Sequence, residues 1–148
     1  HCYPEDSHKG KHAETHFYEI ASNHKYIIAL AFPVTGRQHQ IRAHAAFHGF
    51  PLLGDKMYSA DPKVFRRYKE SELTEQDYQL LEIPRHALHA MGLSVPHPST
   101  KKRVLFHGPL PEDLKVWLRQ MSEFDHQAIL QNCIKLMEEK IEAIKIRN

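Results

Sequence analysis

Residues 35–44 read Thr-Gly-Arg-Gln-His-Gln-Ile-Arg-Ala-His and place Arg37, His39, Gln40, Arg42 and His44 within ten positions. A guanidinium at Arg42 stays charged at any working pH and can fork onto a carboxylate or a phosphate. Arg37 lies one turn earlier, where contact to backbone phosphates and the capping of a neighbouring loop are equally open. His39 and Gln40 are suited to orienting a charged neighbour. A second concentration, Arg85-His86-Ala87-Leu88-His89-Ala90, offers two imidazoles beside Leu88, which can be plain core or the wall of a pocket. Thirteen histidines raise the question of a metal. His44 and His48 share a helix face, and His86 and His89 share one if that segment is helical. No HExxH and no Cys/His pairing accompanies them, so no metal site is expected. The sequence has no Gly-rich phosphate loop, and no cofactor is expected.

Thr15–Ile20 and Lys25–Phe32 are rich in aromatic and β-branched residues and flank a polar connection, which predicts a β-hairpin ended by Pro33. Thr35-Gly36 is a turn. From Arg37 a helical period places Ile41, Ala45 and His48 on one face, and Gly49 stops it. Residues 61–84 mix charges with Phe65, Tyr68, Leu73, Tyr78 and Leu81 and predict one or two short helices in an insertion outside the sheet. Residues 86–95 suit either a strand or a short helix, and 103–107 suit a strand that can pair with them. After Pro111 the pattern turns helical, first to about Met121 and then from about Asp125 onward. The second helix carries Leu130, Ile134, Met137, Ile141 and Ile144 at steps of four and three, a seam expected to pack on its own domain.

The chain has 148 residues, 41% of them hydrophobic and 26% charged, values that exclude a collagenous or low-complexity chain. No apolar run approaches the roughly 20 residues of a membrane span, so a soluble, cytoplasmic protein with no membrane contact is expected. Cys2 and Cys133 lie too far apart in sequence to suggest a disulfide framework. The net charge is only +2, from 20 basic and 18 acidic residues, but it is unevenly placed. Residues 61–84 and 112–148 hold 13 of the 18 acidic residues and 10 of the 20 basic ones. The remaining 10 basic and 5 acidic residues, a local excess of +5, suit contact with phosphates.

The segment 35–44 resembles the TGRxHQIRxH signature of the RluA-like pseudouridine synthases, and the likeness continues in order along the chain. Gly49-Phe50-Pro51-Leu52-Leu53-Gly54-Asp55 with Tyr58 resembles the family's GxPIxGDxxY segment. Residues 85–98 resemble its RHALHAxxLxxxHP segment, and Phe106–Pro111 its FxAPLP ending. Gly10–Phe17 is similar to its GKxAxTxY segment. These ordered segments cover residues 10 to 113.

The family detaches uracil from its ribose in RNA, rotates it, and rejoins it through carbon. The resemblance implies a flipped-out uridine, a catalytic aspartate in an HRLD-type motif, a tyrosine in a KxY-type motif, and an arginine that pairs with the aspartate. Arg42 maps onto that arginine and Leu88 onto the apolar residue lining the base pocket. Arg37, His39, Gln40 and His89 join Leu88 as expected substrate-binding residues. Neither the HRLD nor the KxY motif occurs here, and the one aspartate before Arg42, Asp6, has the wrong context.

The expectation is therefore the C-terminal part of an α+β catalytic domain, a mixed or antiparallel sheet with flanking helices, over residues 1–111, with 61–84 as a helical insertion. A helical extension is expected over 112–148. The partners expected are RNA, ribosomal or transfer, and the missing N-terminal half of the same protein, without which the chain is inactive. Arg42 is expected at a cleft with Leu88 on the same wall, its guanidinium poorly paired and held by water, a buffer anion or a substitute acid. Two other readings are a non-catalytic RNA-binding module with the same cleft and a helical interaction protein.

Overall fold

The hairpin forms where the alternation of residue types places it: β1 spans Thr15–Ser22 and β2 spans Ile27–Pro33. The computed structural model describes residues 10–147, with side chains through Ala143. Cys2 and Asp6 lie outside the described residues, as does the side chain of Ile144. Asn23 closes the turn, its Oδ1 accepting from the backbone N–H groups of Lys25 and Tyr26 at 2.9 and 2.7 Å. So short a connection allows only antiparallel pairing.

The chain is α+β. Two two-stranded sheets are present among the described residues, β1–β2 and the antiparallel pair β3 (Gly92–Pro96) and β4 (Arg103–His107). Five helices accompany them: α1 (Gln40–Phe47), α2 (Pro62–Glu70), α3 (Glu75–Leu81), α4 (Glu112–Gln120) and α5 (His126–Arg147). The chain divides into two units, one of residues up to Phe17 with Ala31–Leu88, the other of Tyr18–Leu30 with His89 onward.

In the first unit, α1 begins three residues later than its period suggests. His39 takes a left-handed conformation, φ 54°, which a right-handed helix cannot include, and Gln40 becomes the first helical residue. Gly49 ends the helix at φ 84°, as expected. His48, expected on the buried face, is exposed at the frayed last turn, whereas Ala45 is buried.

Residues 61–84 form two helices, each started by a side-chain cap. Asp61 accepts from Lys63 N–H at 2.9 Å with Pro62 in the first turn, and Thr74 and Asp77 form a reciprocal capping box. Arg67 joins both caps, forking onto Asp77 and reaching Asp61 at 3.1 Å. Val64 and Leu81 are the buried apolar residues of these helices.

In the second unit, Leu118, Phe124, Ile129 and Cys133 form the core, and Ile20, Tyr26, Ile28 and Leu30 of the hairpin pack on it. Residues 86–91 take no regular form, so His86 and His89 share no helix face. The α5 seam keeps Met137 as expected, but its first two positions lie one residue earlier, at Ile129 and Cys133 in place of Leu130 and Ile134. Ile129, Cys133 and Met137 are buried at uniform steps of four, while Ile134 is 41% exposed. Cys133 behaves as a small apolar residue, and this stripe lies about 100° around the helix from the Leu130–Ile134 line. Met137 packs against β3, where a Cβ on Gly92 would stand 2.2 Å from its sulfur. The two expected extension helices, α4 and α5, thus pack in one unit with β3 and β4.

Candidate active site

The site is built in the first unit on α1 and the turn that follows it. Gln40 fixes the start of α1. Its amide is 5% exposed and hydrogen-bonded at both ends. Oε1 accepts from the Thr35 hydroxyl at 2.7 Å and from Arg37 N–H at 3.0 Å. Nε2 donates to the carbonyl of Glu14 and the hydroxyl of Thr15, both at 2.8 Å. The bonding capacity of Gln40 is therefore used inside the protein. Arg37, one turn upstream, is exposed and donates Nε–H to the His12 carbonyl at 3.2 Å, a loop-capping contact that leaves the rest of its guanidinium at the surface.

Arg42 is the third residue of α1, and its side chain is 13% exposed. Its Nε and Nη2 fork onto Asp55, with both N···O distances 2.7 Å. The guanidinium is therefore not poorly paired, as expected, because Asp55 of this same chain supplies a buried carboxylate for it. Asp55 is 1% exposed and also accepts, at Oδ1, from the backbone N–H groups of Met57 and Tyr58 at 2.9 and 3.0 Å. Burial works to raise the Asp55 pKa, but the Arg42 fork and the two backbone donors outweigh it and hold the carboxyl below its usual range. The same hydrogen bond to Asp55 raises Arg42 against the cost of burial. Arg42 and Asp55 are therefore both charged. Arg42 Nη1 has no hydrogen-bond partner among the described residues.

Tyr58 completes the cluster, with the Arg42 guanidinium 5.2 Å from its ring centroid. The His39 ring meets it edge-on at 5.9 Å, and Tyr58 Oη lies 3.5 Å from His39 Nδ1. The left-handed start of α1 is what leaves His39 beside Tyr58 rather than on the helix. Gly54 makes the turn possible. Its φ is 71°, and a Cβ there would stand 2.1 Å from the carbonyl oxygen of Arg85. Ala87 N–H donates to the Leu53 carbonyl at 2.7 Å, which holds residues 85–87 against the turn. His86 is placed where burial lowers its pKa, helped by the charge of Arg42.

Leu88 is half-buried, and its carbonyl accepts from Arg85 Nη1 at 3.3 Å. A concavity of about 300 Å³ beside Tyr58 is lined by Ala46, Gly49, Pro51, Tyr58, Ser59 and Ala60. Arg42 and Leu88 are not among its lining residues. His89 belongs to the second unit and donates Nε2–H to the Gly108 carbonyl at 2.9 Å. Among the described residues no three His, Cys, Asp or Glu side chains converge as a metal site would require. No helix there is long and apolar enough to cross a membrane.

Asp55 received no role from the sequence. Its signal was the Gly-Asp pair at a turn, whose glycine permits the left-handed step and whose carboxylate caps the next two amides. Its charge partner stands 13 positions away and follows no local period.

No family model matches the chain. A stretch of 106 residues, 71% of the chain, is 41% identical to ribosomal large subunit pseudouridine synthase D of Vibrio cholerae and covers 31% of it. Over 98 residues the chain is 39% identical to the protein of the same name from Pseudomonas aeruginosa, matching 65% of this chain and 28% of that one. Over 105 residues it is 38% identical to an uncharacterized RNA pseudouridine synthase of Bacillus subtilis, covering 71% and 31%. The chain spans about a third of the length of the curated relatives it matches.

Proposed function

Because the matched region belongs to the RluA-like RNA pseudouridine synthases, we propose that the chain is the C-terminal part of a synthase catalytic domain. Residues 1–111 contribute to that domain, with 61–84 as an insertion, and 112–148 form a helical extension. The substrate is a uridine in RNA, and the names of the relatives favour ribosomal RNA over transfer RNA. The complete protein acts in the cytoplasm.

The restraint on Arg42 supports this reading, because an arginine that serves a reaction has to be held in one direction. A solvated surface arginine is mobile, whereas the Arg42 side chain is 13% exposed, forked onto Asp55 and set over the Tyr58 ring. Its Nε/Nη2 edge is held by Asp55, so the Nη1 N–H groups and the second N–H of Nη2 remain for a further acceptor. In the complete enzyme that acceptor is the catalytic aspartate, supplied by the N-terminal half. Arg42 positions this aspartate at the nucleoside while uracil leaves the ribose and rejoins it through carbon.

Arg37 has exposed N–H groups for backbone phosphate. Leu88 and His89 remain the candidates for contact with the base and its neighbours. His39 acts through Tyr58, and Gln40 supports α1 rather than touching RNA. An unpaired uridine is the favoured target, because extruding a base costs a few kcal/mol and least where it is already unstacked.

Release of tritium from RNA labelled at C5 of uridine tests the reading, since rejoining through carbon expels that hydrogen. The chain alone should release none, and the complete polypeptide that carries it should release tritium. A complete polypeptide that binds unmodified ribosomal RNA but releases no tritium supports the non-catalytic RNA-binding module instead.

A further inference from the structure

The geometry points to Asp55 as a positioning residue for the isomerisation, holding the Arg42 guanidinium in one plane so that its free end, Nη1 with the second N–H of Nη2, faces the reacting groups. The assignment rests on Arg42 being an active-site arginine, as proposed above.

The turn does not account for this carboxylate. Capping the Met57 and Tyr58 amides needs one acceptor oxygen, and Oδ1 serves both. A serine or an asparagine could do the same. Oδ2 is used for Arg42 Nε alone, and two parallel bonds fix a planar guanidinium in direction as well as distance. Tyr58, on the same turn, lies against the guanidinium and adds a third restraint.

The carboxylate has no room to follow a moving partner. Gly54, beside it, is pressed on the Arg85 carbonyl, and Asp55 N–H is bonded to the Leu52 carbonyl at 3.1 Å. Asp55 is thus a rigid anchor and Arg42 the arm it aims. The Arg42 charge survives loss of the anchor, but its direction does not. That difference separates positioning from simple charge provision.

The test uses the complete polypeptide and tritium release under saturating and limiting RNA. Asp55→Asn keeps the shape of the side chain and one acceptor oxygen but presents an amide N–H₂ to the guanidinium. The expected result is a fall in kcat of about 100-fold, the usual scale for misplacing a group at the chemistry. KM for RNA should stay within about threefold, because the interaction serves the reaction rather than binding. Asp55→Asn combined with Arg42→Ala should be no slower than Arg42→Ala alone, since Asp55 acts through Arg42.

Near-normal kcat in Asp55→Asn, or losses that multiply in the double variant, would overturn the assignment. If Asp55→Asn does not fold, Asp55→Ser keeps a hydroxyl for the turn and removes the fork, and the same kcat and KM pattern is expected. Failure of both variants to fold makes Asp55 a structural residue and overturns the assignment equally. A wild-type polypeptide that forms no pseudouridine overturns the underlying reading instead.

Discussion

The buried amide of Gln40 and the hydroxyl of Thr15, 2.8 Å apart, tie the first residue of α1 to the first residue of β1. The relay continues, because Thr15 Oγ1 lies 3.0 Å from His44 Nδ1. With neutral His44 every bond has one direction: Gln40 donates to Thr15, and Thr15 donates to the imidazole. The helix that carries Arg42 is therefore held at its start and its middle by polar groups rather than by a large apolar face.

Gln40→Ala should accordingly lower stability by about 2 kcal/mol or more, because it leaves several enclosed donors and acceptors without partners. Arg37→Ala, which removes an exposed contact, should change it by less than about 0.5 kcal/mol. Urea unfolding of the two variants checks the contrast.

The pH dependence of stability has two windows. Burial lowers the pKa of both His44 and His86. The unfolded chain then takes up these protons first, so stability is full above about pH 6.5 and falls as pH drops from there through the lower folded values. Asp55, whose pKa is lowered in the folded protein, adds stability that is present above about pH 3.9 and lost as pH falls through its folded value. NMR titration should place both imidazoles below the usual histidine value. His44→Gln with His86→Gln should flatten the upper window and Asp55→Asn the lower one.

Gly54→Ala should destabilise the protein by about 2 kcal/mol or more. It adds a left-handed penalty of about 1–2 kcal/mol to a Cβ contact with backbone that cannot turn aside. Gly92→Ala meets only the flexible end of Met137 and should cost less. Thermal unfolding of the two variants orders them.

Elements with strong local signals were legible in the sequence. The hairpin, the end of α1 at Gly49, the strand at 103–107 and α4 follow from alternation and turn residues, whereas the pattern of 86–95 suited strand and helix alike. The rest depended on tertiary context. A left-handed His39 is paid for by its place beside Tyr58, which no propensity reports. Residues 86–88 are held by the Ala87 N–H bond to the Leu53 carbonyl and by Arg85 Nη1 on the carbonyls of His86 and Leu88, not by any period. The α5 phase depended on Cys133 acting as core. Arg42 stood out by its signature, whereas Asp55 became visible only once folding brought the two together.

The part Arg42 plays in the reaction is measured most directly by the rate of tritium release from unmodified ribosomal RNA by the complete polypeptide, wild type against Arg42→Ala. Losing a charged group aimed at the reacting centre should lower kcat by 100-fold or more, roughly the scale for removing one preorganised electrostatic partner. The melting temperature should fall as well, because Arg42→Ala leaves the buried Asp55 carboxylate without its charged partner, so the rates are compared at a temperature where both proteins are folded. An Arg42→Ala enzyme that folds and forms pseudouridine at a near-normal rate would contradict the claim that this arginine belongs to the reaction.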